Sequence, residues 1–581
     1  MNKYVLGISC YFHDSAVCLV KNGEIISAVQ EERFTGIKND SSFPYRAIEW
    51  CLNRNNISVS DIEYIVFYEK PLKKFLRILN SSIEYFPKSR KFFVSQMSRW
   101  LSEKLWTKTN IIKKINAKNK QIIFCQHHLS HASSIYYSSG LKHSTIVVSD
   151  GVGEDQSFSI WKADNNLINL IYEIKYPKSL GLFYSTMTSF LGHRINSGEN
   201  KVMSMSAFGN NKYYDKMKKI IDIEKKNIFS QNLKYFDYQH SIDKSYSDNM
   251  INLLGAPRYP EQAFIDNNKV LVNEEAKRFA NIAFATQKIS EKIIKEKVDF
   301  AYKLNPSKNL CLSGGVFLNC VANYFALKET NFTNIYSNNC SSDAGGAIGA
   351  ALWAWNTFVD KEGNNKIQDI YTGPEYSSDE IKETLTDLKL NYIEFTDKKD
   401  LLKSAVVDLM ENNIIAWFQG KMEFGPRALG NRSILAQPNN KELSKKINSI
   451  VKKRESYQPF AASILAEEFN KYFVRNKKFD YSYKYMNVVS KCRDEFLNDV
   501  EGVIGVDKTC RIQTLEKSDN SLFYSLIDSY FKKTKLPLLL NTSFNLKSEP
   551  IVDNPIKAIS TFFRSKIDIL YLGNFKIIND L

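Results

Sequence analysis

TIVVSDGVGEDQSFSIW, residues 145–161, decides the fold. TIVVSD is an apolar run that ends in an acid, a pattern that predicts a buried strand whose last residue opens into a crevice. A glycine turn follows, and QSFSIW predicts a second strand. The opening of the chain has the same grammar. YVLGIS (4–9), AVCLV (16–20) and EIISAV (24–29) predict three short strands, and KNG at 21–23 is a hairpin signal with glycine free to take positive φ. Strand–turn–strand units near residues 7 and 150 predict a duplicated α/β domain with a nucleotide held between its halves.

The rest of the chain fits around these units. Residues 45–53 and 275–303 have helical periodicity, NLCLSGGV (309–316) is a strand running into a glycine turn, and DAGGAIGAALWA (343–354) is a loop opening a tightly packed helix. A polar, turn-rich stretch at 358–375 sets the domain boundary, giving domains 1–365 and 366–581. The second domain ends in the apolar strand LPLLLNTSF (536–544).

A chain of 581 residues exceeds what one core usually holds, so two domains are expected. The net charge of +16 favours anionic partners such as nucleotides and phosphates. Lys, Asn and Ile abound throughout, as a global codon bias would produce. Segments 103–120 and 214–226 are lysine-rich, yet no dense basic block stands out, and nucleic acid is not an expected partner. Nine scattered cysteines with no C-x-x-C pair argue against a zinc ribbon or disulfide framework and fit a reducing cytoplasm. His13 and Asp14 break the first apolar run, so no signal peptide is expected, and no run is long enough for a membrane span.

Three of the seven histidines lie in HHLSH (127–131). His127 and His131, four apart on a helix, would present both imidazoles on one face, within reach of a shared metal; Leu129, Ala132 and Ile135 would supply the buried side. The bland alternative is an ordinary helix with two satisfied histidines. Asp150 and Asp343, each at a strand end or loop mouth, complete a nitrogen–oxygen set suited to a transition metal, although either alone is more often a turn former. Gly151, Gly153, Gly314 and Gly315 follow predicted strands and would let the backbone approach phosphate or ribose. Asn319 and Asn323 could reach ribose or base. Lys201 is a candidate phosphate partner, against a solvated surface lysine.

In the second domain Arg427, Arg432, Lys452, Arg454 and Arg511 could neutralise a densely charged substrate, and Asn541, Thr542 and Ser543 offer neutral hydrogen bonds. For any one arginine the alternative is a surface ion pair. His13, just past the first strand, is placed either as a general base for an acceptor hydroxyl or as an orienting group for a phosphate.

Taken in order, LGISCYFHDSAVCLV, QEERFTGIKND, HHLSHA, VSDGVGEDQS, GENKVMSMSAFG, LSGGVFLNCVAN and CSSDAGGAIGAAL in the first domain resemble the O-carbamoyltransferases of the NodU/CmcH type. GKMEFGPRALGNRSILA, KKRESYQPFAASIL, VDKTCRIQT and LLLNTSFNLKSEPIV extend the resemblance through the second. It implies an N-terminal actin-like (ASKHA, TsaD-like) domain and a C-terminal YrdC-like domain, both α/β. It also implies a metal, usually iron, on His127, His131, Asp150 and Asp343, with ATP and carbamoyl phosphate as co-substrates and Mg2+ accompanying ATP. Carbamoyladenylate would form in the second domain and be spent on an acceptor hydroxyl in the first, with His13, Lys201 and Arg454 in catalytic roles. The acceptor would be a small molecule, sugar or natural product, shaped by loops 66–120 and 210–265; a homodimer is compatible.

Gln458 stands where the family usually has arginine, and Gly505 and Lys508 interrupt another motif; Lys508 is a candidate to restore the charge lost at Gln458. The rival readings are a sugar kinase or ATPase of the actin-like superfamily, which has no use for HHLSH, a tRNA-modifying protein, and a non-catalytic scaffold.

Overall fold

The protein is described by a computed structural model covering residues 2–223, 229–266, 270–360 and 366–579. The chain forms two compact units. Unit 1 comprises residues 1–26 and 41–368, and unit 2 comprises 27–40 and 369–581. The boundary expected at 365/366 adjoins residues 361–365, which lie outside the described residues, as do 224–228 in the expected acceptor loops.

Unit 1 is built on two five-stranded sheets. In the first, β1 (Tyr4–Ser9), β2 (Ala16–Lys21), β3 (Glu24–Gln30), β4 (Ile62–Phe67) and β5 (Gln121–Phe124) run in the order 3-2-1-4-5. In the second, β6 (His143–Ser149), β7 (Gln156–Asp164) and β8 (Leu167–Lys175) precede a small hairpin, β9 (Ile221–Ile223) and β10 (Phe229–Gln231), and then β11 (Asn309–Ser313) and β12 (Asn334–Tyr336). Its order is β12-β11-β6-β7-β8. The two orders are the same motif. A central strand (β1 or β6) has an antiparallel partner next in sequence (β2 or β7) on one side and a parallel strand (β4 or β11) on the other. All six residues of YVLGIS in β1 are buried, as a central strand covered on both faces requires. Its three aliphatic side chains Val5, Leu6 and Ile8 contribute roughly 1.5–3 kcal/mol each by burial.

Two helices bring the ends of these sheets together. The His127–Tyr136 helix is buried nearly all round, with Leu129 among its less covered residues. Its serines satisfy themselves inside the helix: Ser130 and Ser134 donate to the carbonyls of His127 and His131 at 2.7 and 2.8 Å. The Gly345–Ala354 helix, GGAIGAALWA, lies on β1 and against the first helix. A Cβ on Gly7 would sit 2.0 Å from the carbonyl oxygen of Ala347. Only glycine permits so close a backbone approach. The long Glu274–Leu304 helix begins on an Asn273 cap, whose side chain accepts from the Ala276 N–H at 2.8 Å, with Glu274 and Glu275 in the first turn.

Unit 2 holds one mixed nine-stranded sheet. Its strands are β13 (Ile393–Glu394), β14 (Ile415–Phe418), β15 (Arg432–Ala436), β16 (Ala461–Leu465), β17 (Val489–Lys491), β18 (Thr509–Leu515), β19 (Leu538–Ser543), β20 (Ile569–Leu572) and β21 (Phe575–Ile578). Their order is β13-β21-β20-β14-β15-β19-β16-β18-β17. The segment QEERFTGIKND (30–40), grouped with the first domain on sequence, packs in unit 2 instead. The cause is local. Arg33 is buried, donates to Gly425 O at 2.9 Å and pairs with Glu32 at 2.9 Å, while Lys557 donates to the Arg33 carbonyl. Among the described residues no helix is long and apolar enough to cross a membrane.

Candidate functional site

In unit 1, β6 ends at Ser149 and hands Asp150 to the turn, while the His127–Tyr136 helix presents His127 and His131 one turn apart. Asp343 stands just before the Gly345–Ala354 helix. The four side chains converge, with one donor atom from each and all four atoms within 4.8 Å of one another. His127 Nε2 lies 3.1 Å from Asp150 Oδ2, and His131 Nε2 lies 3.5 Å from both Asp150 Oδ2 and Asp343 Oδ1. Each histidine is at least 99 % buried. His131 Nε2 and Asp343 Oδ2 have no hydrogen-bond partner, a costly arrangement for buried polar atoms unless a ligand meets them. Two imidazoles and two carboxylates at this spacing fit a borderline transition metal.

The surroundings hold the four in place. Asp150 Oδ1 accepts the N–H of Gly151 at 2.8 Å and of Gly315 at 3.3 Å, which aims Oδ2 at the histidines. Gly153 backs the His127 ring so closely that a Cβ would come within 2.9 Å of it. The Ser313 hydroxyl stands 3.3 Å from His131 Nδ1 and fixes that ring from behind. Three of the glycines expected to approach phosphate, Gly151, Gly153 and Gly315, thus pack against or bond to the His/Asp quartet. Gly314, at φ +98°, makes the turn that lets Gly315 reach Asp150. His128 faces away and bonds Ser159 Oγ at 2.8 Å; burial, then repulsion from His127, lowers its pKa well below the usual range.

The charges interlock. Burial alone would lower the His131 pKa, but Asp150 and Asp343 outweigh it and raise it to about 9. Burial opposes ionisation of Asp150, yet His127 and His131 hold its carboxyl well below the ordinary range. Asp343 is likewise lowered, against burial, chiefly by His13. His13 lies at the edge of the quartet, with Nδ1 3.2 Å from Asp14 Oδ2 and Nε2 3.8 Å from Asp343 Oδ2. Tyr11 and Asp14 bracket it at positive φ, 73° and 56°, so the loop is held in a conformation such residues rarely adopt.

Glu154 escaped the sequence reading as a functional residue. It is wholly buried, and its Oε1 accepts the backbone N–H of His127 at 2.9 Å and of Lys70 at 2.8 Å. It therefore caps the helix that carries both histidines, and burial raises its pKa. A second acid four residues past Asp150 in the same turn was the available signal. Asn319 and Asn323 are both engaged in local hydrogen bonds. Asn319 caps the Cys320–Leu327 helix and pairs with Gln287 at 2.9 Å, and Asn323 donates to Phe317 O at 2.7 Å. Lys201 is half-buried in the first turn of the Glu199–Met205 helix.

Unit 2 gathers the other predicted cations, with one exception. The buried Lys452 ammonium is surrounded by neutral oxygens, Ser543 Oγ at 3.2 Å, Asn545 O at 3.1 Å, Asn545 Oδ1 at 2.8 Å and the Ser543 carbonyl. Burial, then the neighbouring cations Arg454 and Lys38, pushes it well below the usual lysine range. Arg454 Nε donates to Asn448 Oδ1 at 2.7 Å, and the guanidinium lies 4.5 Å over the Phe460 ring. Burial and then Arg511 lower the Arg454 pKa to about 9. Arg454 Nη2, Arg511 Nε and Asn541 Oδ1 are buried without a partner, and Asn541 Nδ2 bonds Ser463 Oγ at 2.9 Å. Arg427 is half-buried in the loop between β14 and β15.

Arg432 is the exception. It is fully buried, spans the carbonyls of Gln419, Asn431, Pro374 and Gly420 at 2.6–3.1 Å and lies 3.6 Å over the Phe418 ring. Its Nη1 and Nη2 donors hold the loops of unit 2. Lys508 is also displaced from its expected role: it pairs with Asp494 at 2.8 Å on the surface, while Gln458 donates to Glu455 at 2.7 Å.

Residues 4–352 match the carbamoyltransferase N-terminus family and residues 406–579 the carbamoyltransferase C-terminus family. The chain is 37% identical over 608 residues to an uncharacterized protein of Synechocystis, covering 98% of this chain and 96% of that one. It is 31% identical over 569 residues to nodulation protein NolNO of Sinorhizobium fredii, covering 98% of this chain and 79% of that one. A 3'-hydroxymethylcephem-O-carbamoyltransferase of Amycolatopsis lactamdurans is 30% identical over 248 residues, 42% of this chain and 44% of that one.

Proposed function

The chain belongs to the carbamoyltransferase family and is a carbamoyltransferase; from that premise we propose that it is an ATP-dependent O-carbamoyltransferase working in two stages, one in each unit. Unit 1 is read as an actin-like, TsaD-like domain, a reading supported by the repeated 3-2-1-4-5 strand order, and unit 2 as the YrdC-like activating domain.

In unit 2, Lys452, Arg454 and Arg511 bind the phosphate groups of carbamoyl phosphate and ATP, with Asn541 and Ser543 supplying neutral contacts and Arg427 at the loop. Carbamoyl phosphate is hydrolysed to carbamate and phosphate. A carbamate oxygen attacks the α-phosphorus of ATP, and pyrophosphate leaves with the electron pair of the broken P–O bond. The low-dielectric setting strengthens each charge-assisted bond to those oxygens.

In unit 1, His127, His131, Asp150 and Asp343 hold iron or another divalent transition metal, which supplies Lewis-acid polarisation when bound. Burial works against the charged imidazole, but Asp343 and then Asp14 outweigh it and raise the His13 pKa to about 9. His13 therefore carries its proton near neutral pH and orients the adenylate phosphate, and only its neutral fraction accepts the proton of the acceptor hydroxyl. The hydroxyl oxygen attacks the carbamoyl carbonyl of the adenylate, and AMP departs with the C–O bonding pair. The acceptor is a hydroxyl of a small molecule, sugar or natural product, consistent with the cephem relative.

The observation that carries this reading is the presence, in one chain, of two unlike sites: a buried N2O2 quartet and a buried run of cations met by neutral oxygens. The test supplies the full chain with ATP, radiolabelled carbamoyl phosphate and a panel of hydroxyl compounds, and follows pyrophosphate, AMP and label, with His127→Ala as control. Label transfer lost in the variant supports the reading. Phosphate release from ATP alone, with no need for carbamoyl phosphate, would favour a kinase or ATPase.

A further inference from the structure

Residues 70–120 carry fourteen Lys and Arg against two carboxylates, Glu84 and Glu103. That net +12 is most of the +16 of the whole protein, gathered in less than a tenth of its length. The same segment exposes apolar side chains that a soluble helix normally buries. On the Pro71–Glu84 helix Leu72, Leu76 and Ile83 fall on one stripe, four and eleven residues apart, and Phe86 follows the helix end. Ile83 and Phe86 are 66% and 72% exposed. The adjacent Arg90–Ser102 helix exposes Val94 and Leu101, seven apart on its own stripe. Lys88, Arg90 and Lys91 stand exposed at the turn between the helices, beside these stripes.

We propose that this helical hairpin is a docking surface for an anionic lipid bilayer. Exposed aliphatic and aromatic stripes flanked by Lys and Arg are the features that seat a helix in the plane of the headgroup boundary without spanning it. The charge argues against the other occupants. A second copy would bring the exposed cations Lys88, Arg90 and Lys91 against their own like, which repulsion disfavours. Nucleic acid would meet the cations but leave the apolar stripes without a use. The hairpin also joins the metal quartet. The Lys70 N–H, just before the first helix, donates to Glu154 Oε1, which also caps the His127–Tyr136 helix, and Lys74 lies 4.9 Å over the Phe12 ring beside His13. A docked chain therefore holds the rim of unit 1 near the lipid surface. This inference stands independently of the carbamoyl chemistry.

The experiment is flotation of the full chain with vesicles of phosphatidylcholine alone and of phosphatidylcholine with phosphatidylglycerol, at rising salt. Two variants are compared, Ile83→Ser/Phe86→Ser and Lys88→Glu/Lys91→Glu, with circular dichroism and carbamoyl-phosphate-dependent pyrophosphate release as fold controls. The expected result is binding to the anionic vesicles only, lost with salt, and weakened more than about tenfold in each variant. Failure of a folded chain to float with anionic vesicles overturns the proposal, as does binding undiminished in Ile83→Ser/Phe86→Ser. Self-association of the wild-type chain that this variant abolishes overturns it in favour of a second copy. Failure of pyrophosphate release in every form bears on the carbamoyl reading alone, since flotation is read separately.

Discussion

A Cβ on Gly349 would lie 1.7 Å from the carbonyl oxygen of Ser130. Two helices therefore meet backbone to backbone, and the contact lies beside the His/Asp quartet, since Ser130 adjoins His131 and Gly349 is six residues past Asp343. Gly349→Ala forces them apart, and overpacking of this kind costs about 1–3 kcal/mol. The expected outcome is a lower melting temperature together with reduced metal content per chain, read by calorimetry and elemental analysis. Unchanged metal content in a folded variant would show that helix spacing does not set the distance between His131 and Asp343.

Ser313 touches His131 only through Nδ1, on the side away from the carboxylates. Removal of such a support costs roughly 10–100-fold in metal affinity. Ser313→Ala is expected to weaken binding of Fe2+ or Zn2+ by that order, measured by competition with a chromophoric chelator, with little change in melting temperature of the apo form. A fall in apo stability without a change in affinity would mark the hydroxyl as packing alone.

The sequence was most legible where chemistry imposes short spacings. His127 and His131 could be paired because a helix sets four residues one turn apart, and Asp150 and Asp343 because strand ends and loop mouths open into crevices. Long-range geometry was not legible. Whether Arg432 faces a ligand or its own loops depends on where the carbonyls of Pro374 and Gln419 come to lie, which no local pattern encodes. Asn319 shows the same limit: a cap and a ligand contact use the same side-chain amide, and its partner Gln287 lies some thirty residues away. The excursion of 30–40 into unit 2 turns on Arg33 reaching Gly425 O and on Lys557, contacts from the far end of the chain.

Arg432 and Arg511 offer a direct contrast. Truncation of Arg432 removes a donor from four carbonyls. Asn431 O and Pro374 O keep the N–H of Gln419 and Met422, while an interior carbonyl left unsatisfied, as at Gln419 or Gly420, costs about 1–3 kcal/mol. Arg432→Ala is expected to unfold unit 2 at ordinary temperature, seen as loss of its melting transition. Arg511→Ala is expected to keep the transition and lose most carbamoyl-phosphate-dependent pyrophosphate release. The reverse pattern would exchange their roles.

Lys452 sets a pH dependence for anion binding. Burial and the nearby cations depress its folded pKa below the unfolded value near the ordinary lysine range. Between those two values the unfolded chain binds the proton more tightly, so stability rises with pH through that window and the unliganded fold is weaker below it. A phosphate group supplies the missing counter-charge and draws the pKa upward, so binding takes up a proton where the free ammonium would be neutral. Affinity for inorganic phosphate or carbamoyl phosphate is therefore expected to fall as pH rises through the depressed pKa. Titration calorimetry in buffers of different ionisation enthalpy should show net proton uptake, and Lys452→Met should abolish it. Affinity that stays flat with pH and takes up no proton would mean that Lys452 does not change protonation on binding, and that Arg454 and Arg511 carry the pH-independent attraction.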